Sequence, residues 1–375
     1  MDGNGVPLGF DIFPGNQNEQ ISLKPLEQKI LRDFELSGAK IIVCTDAGLA
    51  STANRKLNSI RNRDFITIQP IKKMTQKEQE WVLNRGRSLL LEPIGAGENA
   101  NIVLRDIKNN GWRVAGDKSN TYISLDDIDE DDIENLNKIY YKEKYLVDDK
   151  TGFTQRLIVT YSLKYKKFME HKRSTDIKRA LKLISLNQKK KIEVSAQNDV
   201  RRYISTATTT KDGTDIKCDI RYELNESEII KQAKYDGFYA VCTSIEKDEK
   251  TVEEIININR WRWEIEESFR LLKSEFKSRP VYVYLKEHIK AHFTICFMAL
   301  TLFRLFEKKV NAKSDTVITA PALIKTLQNM NITKYNNYYT GSFKRTDITD
   351  ILHSFIDMRF DCELITQNKI KKILK

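Results

Sequence analysis

The sequence predicts an α/β layered fold, and three observations predict it. The apolar run "IIVC" at 41 to 44 ends in a polar turn that holds Asp46, the pattern of a buried strand. A helical stretch and a second strand pattern, "DFITIQPI" at 64 to 71, follow it, so strands and helices alternate. The alternation resumes with "DGFYAVCTS" at 236 to 244, which leads into a long helical pattern from 251 to 276.

Taken in order, the elements begin with "DGNG" at 2 to 5, a tight-turn signal because Gly and Asn accept positive φ. One arm, "VPLGFDIF", follows it and only Met1 precedes it, so the sequence reads as starting inside a sheet. "SLKPLEQKILRDFELSG" at 22 to 38 reads as an amphipathic helix with Ser22 as N-cap and Gly38 as stop. The strand ending before Asp46 is expected to be central, and a helix is expected over 49 to 61.

From 75 to 230 the chain turns β-rich and highly charged, and a separate insertion subdomain is expected. A hairpin is predicted around Asp-Lys-Thr-Gly in 145 to 168, with a basic, aromatic-interleaved stretch after it that continues through 171 to 191. The acidic run at 125 to 136 lacks the oxygen-ligand spacing of a calcium loop and reads as a solvated loop or helix entrance. Residues 286 to 309 form a second helical pattern whose apolar run, "FTICFMALTLF", reads as a core helix too short to span a bilayer. The domain expectation is therefore 1–74 and 231–310 as two parts of one layered domain, 75–230 as the insertion, and 311–375 as a helical tail.

Composition narrows the partners. Hydrophobic residues at 40% and charged residues at 31% describe a globular chain, and Lys+Arg 63 against Asp+Glu 52 leaves +11. A basic excess favours a polyanion, whose condensed counterions are released on binding. The five cysteines (Cys44, Cys218, Cys242, Cys296, Cys362) are scattered without a CxxC pair, which points to reduced thiols and no zinc site among them. His288 and His292 stand at i, i+4 without the Glu of an HExxH motif, so a structural role is expected. No signal-peptide pattern opens the sequence, and a cytoplasmic location without membrane association follows as the expectation.

The densest chemistry lies in "INRWRWEIEESFRLLKSEF", 258 to 276. On a helix Arg262, Glu266, Phe269 or Arg270, and Lys273 share one face, while Trp263, Ile265, Phe269, Leu271 and Leu272 can pack towards a core. Ion pairing alone would account for the spacing, at about 0.2–0.5 kcal/mol per pair. A carboxylate on this helix together with Asp46 can instead hold divalent cations, the arrangement that activates attacking and leaving oxygens in phosphodiester chemistry. Mg²⁺ or Mn²⁺ suits carboxylates plus water, and the neighbouring Arg and Lys suit phosphates.

The stretch resembles the signature of DDE-type transposases of bacterial insertion sequences. It is similar to the insertion-sequence-4-like branch marked by Tyr, two residues, Arg, three residues, Glu, six residues, Lys. Arg262, Glu266 and Lys273 match the last two spacings, and Asn259 stands at the tyrosine position. The similarity covers most of residues 1 to about 310, including "GVPLGFDIFPGN", "IIVCTDAGLAS" and "DGFYAVCTS".

The resemblance implies a ribonuclease H-like mixed sheet with flanking helices, interrupted by a β-rich insertion, with its first strands missing. It further implies Asp46 and Glu266 as catalytic metal ligands, Mg²⁺ or Mn²⁺ as cofactor, and Arg262 and Lys273 as DNA contacts. The partners implied are transposon ends and target DNA, bound by a homodimer. The family's first catalytic Asp lies upstream of the turn that is here "DGNG", and neither Asp2 nor Asp11 replaces it by position. A weakly active or inactive N-terminally truncated fragment is therefore expected. A DNA-binding regulatory fragment that inhibits a full-length transposase is the alternative.

Overall fold

Strand faces alternate with period two, and the tertiary core follows that alternation. In a computed structural model, which describes residues 1–2, 5–36, 38–86, 110–119, 121–186, 199–207, 221–356 and 358–373, the chain forms two units. One is 17–260; the other joins 1–16 to 261–375.

In the first unit, α1 (Glu19–Asp33) starts at Asn18, whose Oδ1 accepts the Gln20 N–H at 3.1 Å. Ser22, expected as the cap, lies inside the helix and donates to the Glu19 carbonyl. The helix also ends before Gly38, because Glu35 already has φ +54°. β1 (Ile41–Thr45), α2 (Thr52–Leu57) and β2 (Arg63–Ile68) follow, with β1 parallel to β2 and Cys44 opposite Ile66. α2 is shorter than the expected 49–61, since Ser51 caps it by accepting the Asn54 N–H.

Next come α3 (Gln76–Leu83), β3 (Arg113–Val114), α4 (Ile133–Asn137), β4 (Tyr140–Val147) and β5 (Thr154–Tyr161). α5 (Leu163–Leu186), β6 (Ile204–Ala207), β7 (Arg221–Leu224), α6 (Glu226–Ala233), β8 (Phe238–Thr243) and α7 (Val252–Arg260) complete the unit. The six-stranded sheet runs β1-β2-β8-β5-β4-β3, parallel at β1-β2 and antiparallel elsewhere. Two expectations are corrected here. β1 is an edge strand of this sheet and mostly half-buried, where a central strand was expected. The 75–230 stretch is also no separate body, since β5 pairs with β8 over six residues in the middle of the sheet. The physical reason is that β5 carries apolar side chains on both faces: Leu157, Val159 and Tyr161 enter one core with Phe65 and Cys242, and Ile158 enters the other with Ile66 and Val241.

The predicted hairpin turns through Asp149 to Gly152, where Gly152 has φ +65° and Asp148 Oδ1 accepts the Lys150 and Thr151 N–H groups. The acidic run is a helix entrance, with Asp132 capping α4. It meets the basic helix α5, where Lys166 Nζ lies 2.6 Å from Glu130. The end of the basic stretch, 187 to 191, lies outside the described residues, as does Cys218.

One buried cation ties this core together. Lys142, 3% exposed, donates to the carbonyls of Trp81 (2.5 Å) and Asn84 (2.8 Å) and lies over the rings of Trp81 and Trp112. Burial, with Lys144 nearby, pushes its ammonium down to about 7. Between that value and about 10.4 the unfolded chain holds the proton and the folded chain does not, so this group makes stability rise with pH there. Lys142→Met should lose about 1–3 kcal/mol, chiefly through the Trp81 carbonyl that loses the ammonium, since the Asn84 carbonyl keeps the Trp112 indole N–H. It should also flatten the rise in urea midpoint between pH 7 and 9.5, and an unchanged rise would count against this placement of the titration.

In the second unit, α8 (Arg262–Ser274), α9 (Lys286–Asn311), α10 (Ala320–Asn329), β9 (Ile332–Tyr335), β10 (Tyr338–Gly341), α11 (Asp347–His353), β11 (Ile365–Thr366) and α12 (Gln367–Ile373) follow in order. β9, β10 and β11 form an antiparallel sheet, so 311–375 is not wholly helical as expected. The single helix expected over 251–276 is two, α7 and α8. At Trp261 the ladder tightens to one bond over three residues, from the Glu264 N–H to the Trp261 carbonyl. Residues 6 to 14 form no strand, which corrects the expectation that the chain starts in a sheet. Of "DGNG" the tip, residues 3 and 4, lies outside the described residues. Its flanks do close a turn, with Asp2 N–H to the Val6 carbonyl and Gly5 N–H to the Asp2 carbonyl.

Candidate active site

Asp46 immediately follows β1, beside Thr45, whose hydroxyl lies 2.9 Å from that of Thr67. Its Oδ1 accepts the N–H groups of Gly48 (3.0 Å) and Leu49 (3.2 Å), capping the single 3-10 turn Ala47–Leu49. Its Oδ2 has no hydrogen-bond donor among the described residues, and the residue is exposed to solvent. The turn is held from beneath: Asn54 Nδ2 donates to the Leu49 and Gln20 carbonyls, and Arg55 Nε to the Ala50 carbonyl at 3.1 Å. Arg55 is 9% exposed, and its other nitrogens bond Gln155 and Gln69 at 2.8 Å each.

These supports were missed from sequence, because Arg55 and Asn54 lie in an ordinary helical stretch whose partners are a hundred residues away or on another strand. Glu19 was missed too. A methyl on Gly48 would stand 3.1 Å from Glu19 Oε2 and 3.3 Å from Asp46 Oδ1, so the first turn of α1 brings a second carboxylate to this loop.

The other three residues lie on α8, in the second unit. Arg262, Glu266 and Lys273 occupy one side of the helix, and Arg262 Nη1 donates to Glu266 Oε1 at 2.7 Å. The Glu266 side chain is 65% exposed. The opposite side, with Ser268 and Leu271, is buried against α9. There Arg304, 5% exposed, donates to Ser268 Oγ, the Glu264 carbonyl and Glu307, which sets the rotation of α8 and leaves Glu266 outward. Trp263 and Phe269, expected in the core, are 57% exposed each. They lie towards the Arg262 and Glu266 side rather than the Ser268 and Leu271 side, as a rotation of 100° per residue requires. Ile265 and Leu272 are half-buried.

Asp46 and Glu266 each offer hard anionic oxygens to solvent, without thiolate or imidazole, the donor chemistry suited to Mg²⁺ or Mn²⁺. Asn259, at the signature's tyrosine position, donates from Nδ2 to the Tyr239 hydroxyl at 3.2 Å. His288 is exposed, whereas His292 faces the Ser278 carbonyl and Cys296.

Residues 1–302 match the family model described as "Transposase DDE domain". The chain belongs to that family. No curated protein matches it. As a DDE transposase it has DNA as substrate and belongs to a family that uses divalent metal ions and is normally soluble and cytoplasmic. The transposase has one helix among its described residues, α9, that is long and apolar enough by length and composition to cross a membrane. The expectation that its apolar run is a core helix holds for one side only: Cys296 and Leu300 are buried, while Ile295, Met298 and Leu302 are exposed. The buried Arg304–Glu307 pair on the packed side gives α9 the internal polar contacts of a protein core.

Lys273 is exposed and forms no ion pair among the described residues. If Lys273 is the phosphate contact that its place in the signature implies, Lys273→Ala should weaken DNA binding evenly across sequences and lower the salt slope by about one. Titrations at several salt concentrations read both, and an unchanged slope would remove Lys273 from the DNA contacts.

Proposed function

We propose that this transposase cleaves DNA at transposon ends and transfers the strands to target DNA as a homodimer on DNA. Asp46 and Glu266 serve as metal ligands, and Arg262 and Lys273 contact phosphates. The observation that carries the reading is the exposed face of α8, where the spacing of Arg262, Glu266 and Lys273 coincides with the insertion-sequence-4-like signature inside a family match that spans the helix.

Bound divalent ions, Mg²⁺ or Mn²⁺, would supply Lewis acidity at the attacking and leaving oxygens. The chain's own part is positional. The Asp46 cap fixes one carboxylate oxygen and leaves the other outward, and Arg304 fixes the rotation that presents Glu266. Glu266 holding a cation would leave the Arg262 fork free for a phosphate, which it can hold by two parallel N–H bonds. Lys273, two turns on, adds a point charge farther along the same strand.

Iron(II) in place of Mg²⁺, with ascorbate and peroxide, cuts a polypeptide close to where the ion binds. Backbone cuts close to 46 and 266, lost in Asp46→Asn and Glu266→Gln, are expected. Cuts elsewhere would sink the ligand assignment. Salt-dependent binding of transposon ends without any metal-dependent DNA cut would select the regulatory reading, in which the chain occupies ends and inhibits an active transposase.

A further inference from the structure

His353, at the end of α11, is 3% exposed, and neither ring nitrogen has a hydrogen-bond partner among the described residues. An imidazole always presents at least one donor, so leaving both nitrogens unsatisfied inside a protein is costly. The ring is stacked on Phe343, and its Nδ1 lies 3.7 Å from Asp361 Oδ1, a contact too long for a hydrogen bond. Asp350, one helical turn before His353, turns its carboxylate to the same place, and the three ligand atoms lie within 4.8 Å of one another.

We propose that Asp350, His353 and Asp361 form a transition-metal site of the Zn²⁺ class, separate from the carboxylates assigned to DNA chemistry. A tetrahedral ion with bonds of about 2.0–2.2 Å sets its ligand atoms roughly 3.3–3.6 Å apart, so the His353 to Asp361 edge is already close to that and the Asp350 edges need a contraction of about 1.5 Å at most. One imidazole and two carboxylates suit Zn²⁺ and disfavour Mg²⁺, which takes oxygen ligands.

The surroundings are those of a ligated carboxylate. Arg359 grips Asp361 through Nε (2.9 Å) and Nη2 (2.6 Å) and reaches Asp350 Oδ1 at 2.7 Å, which orients both carboxylates from behind. Arg345 holds the remaining position: its Nε bonds both Asp350 oxygens at 2.9 and 3.0 Å. Its side chain is 64% exposed, so it can move into water when a dication arrives. Arg345 and Zn²⁺ compete for Asp350.

Calorimetric titration of the chelator-stripped full chain with Zn²⁺ tests this, supported by Co²⁺ absorption, whose intensity reports tetrahedral coordination. One equivalent is expected, weakened roughly 10–100-fold or more in His353→Ala and Asp361→Asn, and tightened in Arg345→Ala. Asp46→Asn should leave it unchanged. Absence of binding, or binding lost in Cys362→Ser but retained in His353→Ala, overturns the site. If His353→Ala does not fold, Arg345→Ala decides, and unchanged affinity there overturns it.

Discussion

Asp46→Asn and Glu266→Gln should each abolish Mg²⁺-dependent cutting of transposon-end DNA, by roughly 10²-fold or more. Each removes an anionic ligand worth several kcal/mol of transition-state stabilisation, and every 1.36 kcal/mol is tenfold in rate. Both substitutions separate chemistry from folding. Asparagine keeps an Oδ1 that can still accept the Gly48 and Leu49 N–H groups, so the loop after β1 retains its cap. Glutamine at 266 gives up one exposed ion pair with Arg262, about 0.3–0.5 kcal/mol on a helix surface. Matched thermal melts with collapsed cleavage rates are the expected outcome. A variant that cuts within about threefold of the parent chain would strike its carboxylate from the metal ligands.

The largest stability effect is expected at Glu143, on β4. Its side chain is 6% exposed and receives Arg156 Nε at 2.7 Å, Arg113 at 3.0 Å and Lys247 at 3.1 Å. Arg156, 3% exposed, also donates to the Lys250 carbonyl at 3.0 Å, which ties the sheet to the loop before α7. Glu143→Ala strands a buried guanidinium, a loss of about 3–5 kcal/mol.

Burial alone would raise the Glu143 carboxyl, but Arg156 and Lys247 outweigh it and hold the group below the usual carboxylate range. A depressed folded-state pKa adds stability above the unfolded value, about 4.3, and that stability is lost as pH falls through the folded one. Glu143→Gln should therefore show a shallower loss of urea midpoint below pH 5 than the parent chain. A midpoint shift under about 1 kcal/mol in Glu143→Ala would show that the arginine finds other partners.

How much of this was legible depends on the range of the interaction. β1, β2, β8 and the 145–161 hairpin were readable because apolar runs and a Gly turn are local. The place of that hairpin in the sheet was not, since β5 and β8 are separated by a 24-residue helix and a second hairpin, and nothing local names a strand's neighbour. Asp46 stood out by following an apolar run, and Glu266 by its spacing to Arg262 and Lys273. Arg55, Glu19, Arg304 and His353 gave no signal, because each is defined by partners distant in sequence or, for the ring nitrogens of His353, by the absence of a hydrogen-bond partner among the described residues. The inward placement of Trp263 and Phe269 failed for another reason: hydrophobicity was weighed above helical angle, and the buried Arg304 fixes the angle.

The discontinuity of the second unit has a consequence for synthesis. Phe10 packs on Phe297 with ring centroids 4.9 Å apart, yet 287 residues separate them. At about 5–20 residues per second, the first sixteen residues wait roughly 15–60 s on the ribosome for their partner to be made. Residues 17–260, a compact unit of their own, can fold during that interval, so a slow or paused ribosome leaves residues 1–16 without their partner while the sheet is finished.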